Sequence, residues 1–231
     1  MKEPKVQFLN TNNEQISASE VIMRKYDHFI FDFDGTLSDS YPSFFKAAKI
    51  IVEKYGVSIS DEEIFSCLKW ETVVKFFDRL GLGDKKDQAK QEFSAIKSEL
   101  LRTEATPLKG AAALLDAICR AGGKCYIYSH SGTIVIENCK KWGLDVYLTD
   151  YMLNSPNFPR KPAPDALLAL VQKHGLDISR CVMIGDRDID VLAGRNAGMD
   201  GILLDGEDHY KGLEVTHRVS NLTEIADITL N

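Results

Sequence analysis

Apolar and polar positions change rhythm three times along the chain. Tyr26-Asp27-His28-Phe29-Ile30-Phe31 is a short aromatic and β-branched run that stops at Asp32, the pattern of a buried strand. From 41 to 105 the apolar residues fall at helical spacing, as in Phe44, Phe45, Ala48, Ile51 and Val52 and again in Ile64, Phe65 and Leu68. Gly81-Leu82-Gly83-Asp84 is a turn between two helical stretches there. From Pro107 onward strands and helices alternate. The pattern predicts helices over 111–121, 133–142, 164–174, 189–197 and 221–228. It predicts strands over 124–128, 181–184 and 201–204, with a short one over 145–148.

Alternating β and α units imply a parallel sheet with helices on both faces. The expected fold class is therefore α/β: a doubly wound, Rossmann-like parallel sheet, interrupted after its first strand by an all-helical domain. The core comprises residues 23–40 and 106–231, the helical domain 41–105, and a polar N-terminal extension of no assigned role 1–22. In open sheets of this kind ligands sit beyond the carboxyl ends of the strands.

Composition narrows the partners. At 231 residues and 44% hydrophobic, the chain can bury a core without disulfides or a structural metal. No uncharged apolar run approaches the roughly 20 residues that span a bilayer, so no membrane is expected. A net charge of −6 without a long Lys/Arg run speaks against nucleic acid. The cysteines Cys67, Cys119, Cys125, Cys139 and Cys181 are odd in number and form no C-x-x-C. They fit free thiols in a reducing compartment, and with no signal-peptide core the expected location is cytoplasmic. Oligomeric state is not legible.

Each strand end carries a candidate. The first leads into Asp32-Phe33-Asp34-Gly35-Thr36. Paired carboxylates there suit metal binding, nucleophilic attack or acid/base work, and equally a solvated turn. The second leads into Ser129-His130-Ser131, an anion site at a helix start or an N-cap serine. Next comes Ser155 to Pro164, where four of seven prolines fall within nine positions and hold Lys161 between Arg160 and Pro162. That lysine is a fixed cation for an anionic substrate or an exposed charge on a stiff loop. The last strand end reads Gly185-Asp186-Arg187-Asp188-Ile189-Asp190. Its acids suit a hard cation such as Mg²⁺, or the N-terminus of a helix.

Taken in order, Asp32-Phe33-Asp34-Gly35-Thr36, Ser129, Lys161 and Gly185-Asp186 with Asp190 resemble the haloacid-dehalogenase superfamily of phosphotransferases over residues 24–231. The Lys161-Pro162-Ala163-Pro164-Asp165 segment is similar to its phosphoglycolate-phosphatase-like group. The resemblance makes the helical domain a cap and implies a Mg²⁺-dependent phosphomonoesterase for a small phosphorylated metabolite. Asp32 would be the nucleophile of an aspartyl-phosphate intermediate and Asp34 the general acid and base. Asp32, the carbonyl of Asp34 and Asp186 would hold Mg²⁺, with Asp190 supporting them. Ser129 and Lys161 would bind phosphoryl oxygens. The family's dehalogenases lack an aspartate at the position of Asp34. Its β-phosphoglucomutase-like members carry histidine twelve positions after the nucleophile, where this chain has Phe44. A phosphomutase, and a binding protein without turnover, are the competing readings. Specificity is expected in the cap, where Lys69 and Trp70 are candidates, with His130 beside Ser129. Trp70 as cap core, Lys69 as plain surface and His130 as a local support are the alternatives.

Overall fold

The computed structural model describes residues 25–230, together with an antiparallel pair of two-residue strands, β1 (Phe8–Leu9) and β2 (Gln15–Ile16). The rest of the expected extension 1–22 lies outside the described residues. Along the chain follow β3 (His28–Phe31), β4 (Ser38–Asp39), α1 (Tyr41–Tyr55), α2 (Asp61–Lys69), α3 (Val73–Arg79), α4 (Lys86–Thr103) and β5 (Thr106–Pro107). Then come α5 (Ala111–Arg120), β6 (Lys124–Tyr128), α6 (Ile134–Lys141), β7 (Leu148–Met152) and α7 (Asp165–His174). The chain ends with β8 (Cys181–Gly185), α8 (Asp188–Asn196), β9 (Asp200–Leu204), β10 (His217–Val219) and α9 (Leu222–Leu230).

Six strands form one parallel sheet in the order β10-β9-β8-β3-β6-β7. The two-residue period of a strand divides its side chains between two layers. Phe29 and Phe31 of β3 pack with α5, α6 and α9, through Leu114, Leu115, Val135 and Ile225. Ile30 points the other way, with Tyr126 and Met183, against Leu167 and Leu170 of α7 and Ala193 of α8. Because β3 lies between β8 and β6, the chain winds outward from it in both directions. Its carboxyl end is the switch point at which such sheets bind ligands.

Helices α1 to α4 bury a separate apolar cluster, in which Phe76, Phe77 and Phe93 meet at 5.1–6.2 Å between ring centroids. Each fully buried phenylalanine contributes about 1.5–3 kcal/mol, so the helical unit has a core of its own. Ser60 and Glu63 form a capping box at the start of α2, and Gly56 closes α1 in the left-handed conformation. The chain enters and leaves this unit through β4 and β5, which pair antiparallel and tie the two crossings together.

Two details differ from the sequence pattern. Asp145–Tyr147 is a single 3₁₀ turn, and the strand expected over 145–148 begins only at Leu148 and runs to Met152. Val146 is 76% exposed, so its apolar side chain marks no sheet face. Strand β10 was not anticipated: of His217, Arg218 and Val219 only the last is buried, too short a run to show a period. The five cysteines are unpaired, and no helix of the described residues is long and apolar enough to cross a membrane.

Candidate active site

The first strand end is fixed by the sheet itself. Asp32 N–H donates to the Ile184 carbonyl at 2.8 Å, which prolongs the ladder one residue past β3. Strand-like alternation sends Phe33 into the core, stacked on Trp142 at 5.9 Å, and leaves Asp32 and Asp34 to the cavity above. A tight turn follows, with Leu37 and Ser38 N–H groups on the Phe33 carbonyl at 3.0 and 2.9 Å. Gly35 has φ +80°, and a Cβ there would lie 2.4 Å from Asp186 Oδ2 and 2.5 Å from the Tyr41 ring. The glycine thus serves both the turn and the close approach of two other segments.

Lys161 is the hub. It is buried, and its Nζ donates to Asp32 Oδ1 at 2.7 Å, Asp190 Oδ1 at 2.8 Å and the Tyr128 carbonyl at 2.8 Å. An ammonium has three N–H bonds, and all are engaged. A phosphoryl oxygen would have to share or replace one of them. The proline-rich loop that presents it is anchored twice. Lys161 N–H donates to His130 Nε2 at 2.9 Å, and the Asn196 amide donates to the Pro162 carbonyl at 2.9 Å. The Lys161–Pro162 peptide is cis. This is an interior cation, not an exposed loop charge.

Burial and charge compete here. Burial favours neutral Lys161, but the Asp190 and Asp32 carboxylates outweigh it and hold the ammonium above its ordinary pKa. For Asp32, burial is the larger influence and raises the carboxyl well above its usual range, with Asp190, Asp186 and Asp34 adding repulsion and Lys161 opposing. Burial, helped by Lys161, Arg160 and Arg187, lowers His130 to about 3. The imidazole is therefore neutral, as its role of hydrogen-bond acceptor requires.

At the end of β8, Asp186 is buried and accepts from the Tyr41 phenol at 2.7 Å and from Thr36 Oγ1 at 3.4 Å. Burial, with Asp190 nearby, pushes it up to about 7. Asp190 has both oxygens engaged, Oδ1 by Lys161 and Oδ2 by the Arg187 N–H at 3.1 Å. Gly185 makes room for it, since a Cβ there would lie 2.3 Å from Asp190 Cβ. Carboxylate oxygens of Asp32, Asp186 and Asp190 lie within 4.8 Å of one another. This buried, all-oxygen set has the donor chemistry of a site for a hard divalent cation such as Mg²⁺. With Asp190 held by Lys161 and Arg187, the oxygens best able to bind the ion belong to Asp32 and Asp186.

A cavity of about 120 Å³ opens over these groups, lined by Asp32, Asp34, Ser131, Lys161 and Asp190 from the core and by side chains of the helical unit. Ser129 does not line it. Its hydroxyl lies just behind and accepts the Ser131 N–H at 3.0 Å. Ser131 Oγ in turn donates to Asp34 Oδ2 at 2.6 Å, while Asp34 Oδ1 is buried without a partner among the described residues. Lys69 and Trp70 miss the cavity. They line a separate cleft of about 980 Å³ that reaches Asp186 from the side of Glu207. Trp70 stacks on His209 at 4.1 Å and meets Tyr210 edge-on at 5.8 Å, with Lys69 Nζ 4.2 Å over the indole and 3.7 Å from Glu207. The expected specificity pair thus fastens the helical unit to the core loop after β9.

Sequence reasoning missed four groups. Ser131 stood in a motif already noted, beside the serine that was favoured. Tyr41 carries no motif signal, and Arg187 stood in the quoted Gly185-Asp186-Arg187 segment without a role, because their contacts cross from one unit to another. Lys97 had a readable one, since it lies four residues from both Phe93 and Leu101 on the buried stripe of α4, where a cation is out of place.

A carboxylate pair, a buried lysine and a further pair of acids at neighbouring strand ends define a class of phosphoryl-handling α/β hydrolases. The family model described as haloacid dehalogenase-like hydrolase matches residues 29–204, and the chain belongs to that family. The chain has relatives that are themselves named phosphatases. It is 23% identical over 211 residues to a 6-phosphogluconate phosphatase of Escherichia coli, covering 89% of this chain and 94% of that one. It is 29% identical over 173 residues to hexitol phosphatase A of the same organism, covering 74% and 79%. A haloacid dehalogenase-like hydrolase from Streptococcus pneumoniae shares the fold with a TM-score of 0.79 at 19% identity, covering 88% of this chain and 98% of that one.

Proposed function

We propose that the protein is a Mg²⁺-dependent phosphomonoesterase of a small phosphorylated metabolite, working through an aspartyl-phosphate in the cytoplasm. The observation that carries this reading is the Lys161 bridge between Asp32 and Asp190 beneath a small cavity in which Asp34 leaves one oxygen free. Lys161 holds Asp32 in place and favours its anionic form. The Asp32 oxygen not bonded to Lys161 attacks phosphorus, the ester P–O bond breaks, and its electrons stay on the leaving oxygen. Asp34 delivers a proton to that oxygen. Water then attacks phosphorus, gives its proton back to Asp34, and the acyl phosphate bond breaks to release inorganic phosphate and free Asp32. The Ser131 hydroxyl fixes the Asp34 side chain for both transfers. Lys161 contacts the phosphoryl oxygens, while Ser129 supports the site from behind by accepting the Ser131 N–H. Asp32, the Asp34 carbonyl and Asp186 would hold Mg²⁺, whose positive charge would offset repulsion between Asp32 and the phosphoryl group.

The helical unit acts as a cap that shields the site from bulk solvent and admits the single attacking water. Phe44 lines the cavity from α1 and offers no proton to a returning sugar, which favours hydrolysis over a mutase. The test is phosphate release from a panel of phosphomonoesters with Mg²⁺, using Asp32→Asn as the blank. Release by the wild type alone is expected. Equal release by Asp32→Asn, or none from any ester, overturns the proposal.

A further inference from the structure

The two carboxylates best placed to bind a cation face different openings of the molecule. Asp32 lines the cavity, as do Asp34 and Asp190, but Asp186 does not. Asp186 lines instead the separate cleft that runs between Trp70 of the cap and the Glu207 loop of the core. Tyr41 lines both openings, and its phenol on Asp186 Oδ2 at 2.7 Å lies at the partition between them. Gly35 lines the cleft beside Asp186, and a Cβ there would lie 2.4 Å from Asp186 Oδ2. Any side chain at position 35 would therefore cover that oxygen from the cleft side.

The two openings also differ in charge. Lys97, Arg160 and Arg187 stand around the cavity, while Lys161 at its floor already neutralises Asp32 and Asp190. That arrangement draws in a phosphoryl dianion and repels a divalent cation. The cleft has the opposite balance, with Asp39, Glu207, Glu224 and Asp227 set against Lys69 and Lys109. Lys69 is further occupied, 4.2 Å over the Trp70 indole and 3.7 Å from Glu207.

Exposed acids alone would mark only a solvated face. These acids surround a cleft that reaches Asp186, a buried carboxylate of the cluster whose oxygens approach within 4.8 Å. A cleft lined by one sign of charge raises the local concentration of the opposite ion and its rate of capture. With separate openings, an ester seated in the cavity does not bar the path of the cation, and a cation at Asp186 does not bar the path of the ester.

We infer that the cleft between Trp70 and Glu207 is the entry path of the divalent cation, distinct from the cavity that admits the phosphate ester. The inference rests on the Mg²⁺ reading above and assigns residues of the cleft a role in loading that same site. Its test follows association of Mn²⁺, a hard divalent cation that takes the same oxygen ligands. Stopped flow with a fluorescent chelator reports free Mn²⁺ over the full chain, without substrate or turnover. Asp39 and Glu207 are exposed, so Asp39→Asn/Glu207→Gln changes charge and leaves the packing intact. This variant should bind Mn²⁺ about 3- to 10-fold more slowly at low salt, with the difference shrinking at 1 M salt.

Two further variants make the result specific to the path. Asp84→Asn/Asp87→Asn removes the same charge from exposed positions that line neither opening, and should leave the rate within about twofold of the wild type. Lys97→Gln/Arg160→Gln removes cations from the cavity and should also leave it within about twofold. A cleft variant no slower than the Asp84/Asp87 variant overturns the inference. So does a cavity variant that captures Mn²⁺ several-fold faster, since the cation would then pass Lys97 and Arg160. Calorimetry on the wild type separates these results from failure of the parent reading. No Mn²⁺ or Mg²⁺ binding at all overturns the metal reading and this inference with it, whereas tight binding at a rate indifferent to the cleft acids overturns this inference alone.

Discussion

The Tyr41 phenol donates to Asp186 Oδ2 at 2.7 Å. Tyr41 is the first residue of the first cap helix, and Asp186 is a proposed metal ligand at a core strand end, so one hydrogen bond joins the entry of the cap to the acid cluster. Tyr41→Phe removes the donor and leaves the long contact from Thr36 as the remaining side-chain hydrogen bond to Asp186 among the described residues. The carboxylate then loses its fixed orientation. The Mg²⁺ concentration for half-maximal activity should rise about tenfold, the usual cost of losing an outer hydrogen bond to a ligand. Calorimetric Mg²⁺ binding should weaken in parallel. Unchanged Mg²⁺ affinity would show that the phenol does not orient Asp186.

Lys161→Met should cost about 3–5 kcal/mol of stability, since it leaves two buried carboxylates facing each other without their cation. The loss should depend on pH in a defined direction. Unpaired buried acids have folded pKa values above their unfolded ones, so the folded variant binds more protons and gains relative stability as pH falls. The gap in Tm between wild type and variant should therefore narrow from pH 8 to pH 5. A constant gap would mean that the two acids do not feel Lys161.

How much of this was legible in the chain differs by element. Phe29-Ile30-Phe31 announced the central strand because a strand buried on both faces needs apolar residues at every position. Asp32, Asp34, Lys161, Asp186 and Asp190 were found because each follows an apolar strand or a cluster of prolines, and the sheet collects all strand ends on one side. The contacts of Tyr41 and Trp70 were not legible in the same way. Each spans the gap between cap and core, and local patterning carries no information on how two separately packed units meet. Ser131 was overlooked beside Ser129 because a motif names positions, not the direction in which two neighbouring hydroxyls point.

His130 should make the fold sensitive to acid. It accepts the Lys161 N–H, and burial with nearby cations holds it at about 3. The unfolded imidazole titrates near ~6.5. Between those values the unfolded chain binds a proton that the folded chain refuses. The stability contribution is therefore complete above about pH 6.5 and is lost as pH falls below it. His130→Gln keeps an acceptor and cannot be protonated. Discounted for partial exposure, the expected effect is of order 1 kcal/mol, about 2–4 °C in Tm, by pH 5. Thermal melts at pH 7 and pH 5 should show the wild type losing more than the variant. Equal losses would mean that His130 is protonated freely in the fold.

Trp70 should control how readily the cap opens. Its indole lies flat on His209, with 8° between the rings, and Lys69 covers it at 4.2 Å. The core loop that receives it is rigid by construction. Asp205 accepts the His209 and Tyr210 N–H groups at 2.9 and 3.0 Å and also binds Arg218, whose guanidinium donates to the Tyr210 carbonyl at 2.8 Å. Opening the cap must therefore break the aromatic stack and not deform the loop beneath it. An aromatic pair is worth about 0.5–1.5 kcal/mol, which converts to about 2- to 10-fold in the open population. Trp70→Ala should raise KM by that factor and speed amide exchange at residues 206–210 and 70–72, while exchange in β3 and β8 stays slow. Trp70→Phe should recover part of the loss, since a phenyl ring can still stack on His209. If Trp70→Ala leaves exchange at 206–210 unchanged, the stack is not what holds the cap closed.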